Sequence, residues 1–176
     1  MPSLLKGNEI VEDIWTLIGA GTGGELPAVP DHGDIIVPLS LWRAQRDGLL
    51  ARDGRVGVWL DSHEDPAAIA DDLAILGVIA INFPSHADGR GYSTARLLRE
   101  RYGYQGELRA IGDVLRDQIF YLSRCGFDAF ALAPGRDPQE ALRALNDFSD
   151  AYQAAVDRPA PLFRRRPANA GAGANK

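Results

Sequence analysis

Five short apolar runs, each bounded by turn residues, recur along the chain: Ile35 to Val37, Val56 to Leu60, Val78 to Phe83, Leu108 to Ile111 and Ala129 to Leu132. Runs of this length read as buried strands. Between and after them lie longer stretches with helical spacing, about Leu39 to Leu50, Pro66 to Leu76, Thr94 to Tyr102, Val114 to Cys125 and Pro138 to Ala155. Five strand–helix units in strict alternation have few solutions. The chain is an α/β fold with a mainly parallel sheet and right-handed crossovers, either doubly wound or partial-barrel-like. The alternation leaves both arrangements open.

Local chemistry marks the element boundaries. Asp65-Pro66 and Asp137-Pro138 each put a capping acid before a proline at the first helical position. Gly77, Gly103 and Gly126 each follow a helical stretch, where a left-handed residue ends a helix and turns the chain toward the next strand. With 176 residues, 45% hydrophobic and 24% charged, the chain suits one globular domain. Its expected parts are an N-terminal extension and loop over 1–33, an α/β core over 34–155 and a C-terminal tail over 156–176. The Gly- and Pro-rich 19–33 and the tail are expected to be less ordered than the middle.

Composition removes several classes of function. A net charge of −5 offers no basic surface for nucleic acid. The lone Cys125 can form no intrachain disulfide and cannot hold an iron–sulfur cluster, which fits a reducing, cytoplasmic setting. No apolar run approaches the roughly 20 residues needed to span a bilayer, and the N-terminus lacks the pattern of an export signal. His32, His63 and His86 are scattered without metal-ligand spacing, so no metal site is expected. Gly19-Ala20-Gly21-Thr22-Gly23-Gly24 formally matches a dinucleotide fingerprint. That fingerprint works only by opening a helix, and here two prolines follow within a few residues, so no nucleotide cofactor is assigned.

The densest polar segment, Asn82-Phe83-Pro84-Ser85-His86-Ala87-Asp88-Gly89-Arg90-Gly91-Tyr92-Ser93, lies between the third expected strand and its helix. In parallel α/β folds ligands bind beyond the carboxyl ends of strands. Asn82, Asp88, Arg90, Tyr92 and Ser93 are therefore ligand-binding candidates, with Arg90 supplying a forked cation for an anion. A local reading competes with this one, in which Asp88 pairs with Arg90 and Ser93 caps the helix. Asp113, at the exit of the fourth strand, joins the candidates on the same edge. It would approach Asp88 as an acid/base pair, oppose Arg90, or cap the following helix. Cys125, at a helix end, reads as a semi-buried structural thiol.

Beyond these readings, the chain resembles the proteobacterial domain-of-unknown-function family 934. The likeness is carried by Asn82-Phe83-Pro84, Asp88-Gly89-Arg90-Gly91-Tyr92-Ser93, Ala95-Arg96-Leu97-Leu98-Arg99 and Arg101-Tyr102-Gly103. It continues through Gly106-Glu107-Leu108-Arg109-Ala110, Gly112-Asp113-Val114-Leu115, Asp117-Gln118 and Arg124-Cys125-Gly126-Phe127-Asp128-Ala129-Phe130. The resemblance implies an association with sulfite or nitrite reductase genes in assimilatory sulfur metabolism. One cysteine cannot carry the siroheme and iron–sulfur electron path of such a reductase, so the expectation is an accessory protein that binds the reductase, a related pathway protein or a small anion. The alternative is a small α/β enzyme acting on an anionic metabolite by acid/base chemistry.

Overall fold

The computed structural model describes residues 3–21, 25–146 and 153–165. Four of the expected apolar runs become long parallel strands: β4 (Ile35–Pro38), β5 (Val56–Leu60), β6 (Val78–Phe83) and β7 (Glu107–Gly112). The fifth shortens to β8 (Ala129–Phe130). The 1–33 segment, expected as an extension and loop, instead contributes β1 (Ser3–Lys6), β2 (Glu9–Glu12) and β3 (Thr16–Leu17). β1 and β2 pair locally as a hairpin, while β1 joins β8 and β3 joins β4 through more distant pairing.

Strand order settles the architecture that the alternation left open. The eight-stranded sheet runs β2-β1-β8-β7-β6-β5-β4-β3, and β3 to β8 are parallel to one another. Consecutive parallel strands lie side by side without reversal, which excludes a doubly wound sheet. The result is a mostly parallel, curled half barrel. At its far edge β1 pairs antiparallel with both β8 and β2, matching Leu5 to Phe130 and Lys6 to Ala129.

Unreversed right-handed crossovers stack the helices on one face. Side-chain alternation along the strands shows this directly. Ile35, Val37, Val58, Leu60, Ile79, Ile81, Phe83, Leu108, Ala110 and Phe130 point into one core with residues of α1 (Leu39–Ala51), α2 (Arg90–Arg96), α3 (Ile119–Arg124) and α4 (Pro138–Ala144). The opposite, concave face carries Ile36, Val78, Ala80 and Ile111, packed with Trp15 and Trp59. A short α5 (Leu162–Arg165) ends the described chain.

Several crossovers depart from regular α-helix. The segment Pro66–Asp72 winds as a 3₁₀ helix. α2 passes into a π-helical turn over Leu97–Arg101, and Arg116–Gln118 is a 3₁₀ turn before α3. The expected caps form: Asp65 accepts from the Ala67 amide at 2.9 Å and Asp137 from the Gln139 amide at 2.8 Å. Gly103 and Gly126 take positive φ, whereas Gly77 does not and instead lets the Trp15 ring lie against the backbone. The helix expected to reach Ala155 ends at Ala144, with a turn at Leu145 and Asn146 and no helix at 153–155; residues 147–152 and most of the tail lie outside the described residues.

One strong polar feature sits on the concave face. Arg109, 3% exposed in its side chain, pairs with Asp13 at 2.9 Å and Glu107 at 2.7 Å, and Lys6 reaches Glu107 at 2.8 Å. An isolated guanidinium would not be tolerated at such burial, and the two carboxylates neutralise it. Asp13 sits on the connection between β2 and β3, so this ion cluster fastens that connection to the middle of the parallel sheet.

Candidate functional site

Three loops leave the carboxyl ends of β5, β6 and β7, and hydrogen bonds join each to the next. Where parallel strands end, loops vary while the sheet holds their ends in register, so this edge is the natural place for a site.

From β5, Asp61 begins a tight turn. Its carboxylate accepts from the Ser62 amide at 2.8 Å and its own N–H donates to Glu64 at 2.8 Å. Asn82, at the end of β6 on the concave side, donates to Asp61 Oδ1 at 3.0 Å and couples the first loop to the second. His63 lies 3.5 Å from the same carboxylate.

The β6 loop turns at Ser85, whose carbonyl accepts from the Asp88 amide at 2.9 Å. Asp88 then receives Arg90 as a fork, at 2.9 Å from Nε and 2.6 Å from Nη2, and also accepts from the Arg90 backbone N–H. Its side chain is 14% exposed while that of Arg90 is 61% exposed. The Arg90 side chain, then the Arg90 N–H, and further a hydrogen bond from Ser62, hold the Asp88 carboxyl far below the usual carboxylate range, against the opposing effect of burial.

Gly112 closes β7 with φ +91°, a conformation that places its backbone against the Phe83 carbonyl. The next residue, Asp113, donates its N–H to that carbonyl at 2.7 Å. Its carboxylate accepts from the His86 backbone N–H at 3.0 Å and faces His86 Nδ1 at 3.0 Å. These bonds, the backbone one foremost, lower the Asp113 pKa. Gln118 completes the tie by donating to the His86 carbonyl at 3.0 Å and to the Tyr92 hydroxyl at 3.2 Å. The half-buried Tyr92 ring stands edge-on to Phe83 with centroids 5.4 Å apart, and lies 5.1 Å from Tyr121. Burial raises its hydroxyl pKa.

The six sequence candidates therefore separate. Asn82, Asp88, Arg90 and Asp113 lie in the linked loops, and Tyr92 buttresses them from α2. Ser93 stands exposed within α2, whose N-cap is Gly89, so it is not the cap. Asp113 caps no helix either, because the turn that follows starts from Leu115. An Asp88–Asp113 acid/base pair does not form: each carboxylate is taken by a different neighbour, Asp88 by Arg90 and Asp113 by His86. The local Asp88–Arg90 pairing is the arrangement found. Sequence reading passed over His86, whose only signal was its position in the β6 loop, and Gln118, which lay inside a family motif without a role.

The comparisons with known proteins bear on this same stretch. The model of a family described as bacterial protein of unknown function, DUF934, matches residues 57–163. The chain belongs to the DUF934 family. No curated protein matches it. The DUF934 span opens in β5 and includes all three loops, Gln118 and every sequence candidate, whereas β1 to β4 precede it. Among the described residues no helix is long and apolar enough to cross a membrane, and no group of three or more His, Cys, Asp or Glu side chains is placed to hold a metal ion.

Proposed function

We propose that this DUF934 protein is an accessory component of assimilatory sulfite reduction that works by binding, with the loops beyond β5, β6 and β7 as its contact edge. The observation that carries the binding reading is the state of the two acids once expected to do chemistry. Asp88 and Asp113 are both held ionised by fixed donors, so neither has a proton to give near neutrality, and carboxylates of lowered pKa are weak bases. Arg90, in contrast, is largely exposed and paired on one side only. Asp88 fixes one side of its guanidinium while most of the side chain remains exposed, and a planar fork fixed in this way suits a carboxylate or oxyanion on a partner. The sulfur pathway enters through the gene association that the family resemblance implies.

The test is affinity capture from cells grown on sulfate, using the wild-type protein and Arg90→Ala, beside thermal melts with sulfite, sulfate and phosphate. Recovery of sulfite reductase by the wild type and its loss with a folded Arg90→Ala supports the proposal. Recovery of no reductase component, with growth on sulfate unaffected by deleting the gene, overturns it.

A further inference from the structure

The concave face keeps an open space. A cavity of about 400 Å³ lies where the β1–β2 hairpin meets the parallel strands, with Leu4, Val11, Trp15 and Val78 as its apolar walls. It sits toward the amino ends of those strands, where Arg55 precedes β5, Gly77 precedes β6 and Glu107 opens β7. That is the end opposite the loops of Asp61, His86 and Asp113.

The cations of this cavity are already matched. Lys6 pairs with Glu107, Arg55 with Asp34, and Arg109 with both Asp13 and Glu107. A small ion would have to break one of these pairs, so the cavity is no ready ion site. The rim differs. Ile14 is 62% exposed, and Leu17, in register with Ile36 and so on the same face, is 50% exposed. Two large aliphatic side chains in one four-residue stretch beside an apolar-walled cavity make a patch rather than isolated exposures. Glu12, exposed on the same rim, has no ionic partner among the described residues. Lys6 and Arg55, although paired from below, keep more than half of their side chains exposed.

The face therefore lacks an apolar side chain to fill its cavity and a cation to meet Glu12, and it carries both itself. A surface that supplies what it lacks is self-complementary, which is the condition for a two-fold contact between identical chains that closes at two copies. We propose that the protein is a dimer joined through its concave face, with Ile14 of each copy seated in the cavity of the other and Glu12 of each facing the rim cations Lys6 and Arg55 of the other. The loops beyond β5, β6 and β7 stay free in this dimer, so it stands whether or not a reductase binds there.

The experiment measures the mass of the full chain in solution by analytical ultracentrifugation over a dilution series, with thermal melts as the check on folding. The wild type is expected at the mass of two chains. Ile14→Arg should weaken association by about 30-fold or more, as for the anchor of an interface. Glu12→Lys sets like charges against each other and should weaken it about tenfold, with added salt relieving part of that loss. Leu50→Arg, at a side chain 42% exposed on α1 on the helical side of the sheet, should leave association unchanged. A wild type that is still a single chain at about 1 mM overturns the proposal. So does a dimer that survives both Ile14→Arg and Glu12→Lys, or one that Leu50→Arg disrupts equally. Should Ile14→Arg fail to fold, Glu12→Lys set against Leu50→Arg still decides the question.

Discussion

Removing Arg109 tests whether the concave-face ion cluster holds the N-terminal strands to the sheet. In Arg109→Ala, Asp13 and Glu107 stay where they are with side chains only 13% and 8% exposed. Glu107 keeps Lys6 at 2.8 Å, so the carboxylate left without a cation is chiefly Asp13. Breaking a buried pair by deleting one partner costs about 3–5 kcal/mol, and the surviving Lys6 contact puts this case near the lower end, at about 3 kcal/mol. At roughly 2–4 °C per kcal/mol for a chain of this size, the melting temperature should fall by about 6–12 °C. Thermal melts by circular dichroism, with urea titration as a second measure, provide the readout. The double variant Asp13→Asn/Arg109→Met removes the stranded charge along with the cation and should recover more than half of the loss. A drop under about 2 °C for the single variant, or a double variant no better than the single, would refute the argument that charge imbalance rather than lost packing dominates.

Other outcomes follow from the same geometry. Leu5→Ala, at a side chain 1% exposed, should cost about 2–5 kcal/mol in urea unfolding, a result foreign to a loose N-terminal extension. Gly112→Ala should destabilise by more than about 1–3 kcal/mol, because φ is +91° and the new Cβ would lie 2.4 Å from the Phe83 carbonyl oxygen, and it should disturb His86 through the adjoining Asp113. Arg46 and Trp42 lower the pKa of Asp72, so this folded carboxyl titrates below its unfolded counterpart. Its stabilisation is present above the unfolded value of about 4 and is lost as pH falls through the folded one, so Asp72→Asn should flatten the acid limb of a melting-temperature profile. Arg90→Lys should restore only part of what Arg90→Ala loses in partner capture, since lysine keeps the charge without the fork.

The parallel core was legible because β4 to β7 are each rich in apolar residues, broken only by Asn82 in β6 and by Glu107 and Arg109 in β7, and need no distant partner to be recognised. The N-terminal strands were not. β1 is Ser3-Leu4-Leu5-Lys6, with two apolar residues between polar ones, and its place in the sheet comes from its hairpin with β2 and from Phe130 and Ala129 far along the chain. Strand order escaped sequence for a related reason, since apolar runs record burial but not which neighbour buries them. At the site, Asp88 and Arg90 are two residues apart and their pairing was readable as an option. Asp113 and His86 are joined only because Gly112 bends back onto the Phe83 carbonyl, and no spacing rule reports that.

The strand order also shapes how the chain must assemble. From β4 onward each strand pairs with the one made just before it, so the sheet can grow in step with synthesis. The hairpin of β1 and β2 is the exception, because its neighbour is β8, nearly the last strand to be made. The hairpin therefore depends on a strand far along the chain for its place in the sheet. Leu5, which enters the main core beside Phe130, is buried only when the long loop between β1 and β8 closes, a non-local contact of the kind that slows folding.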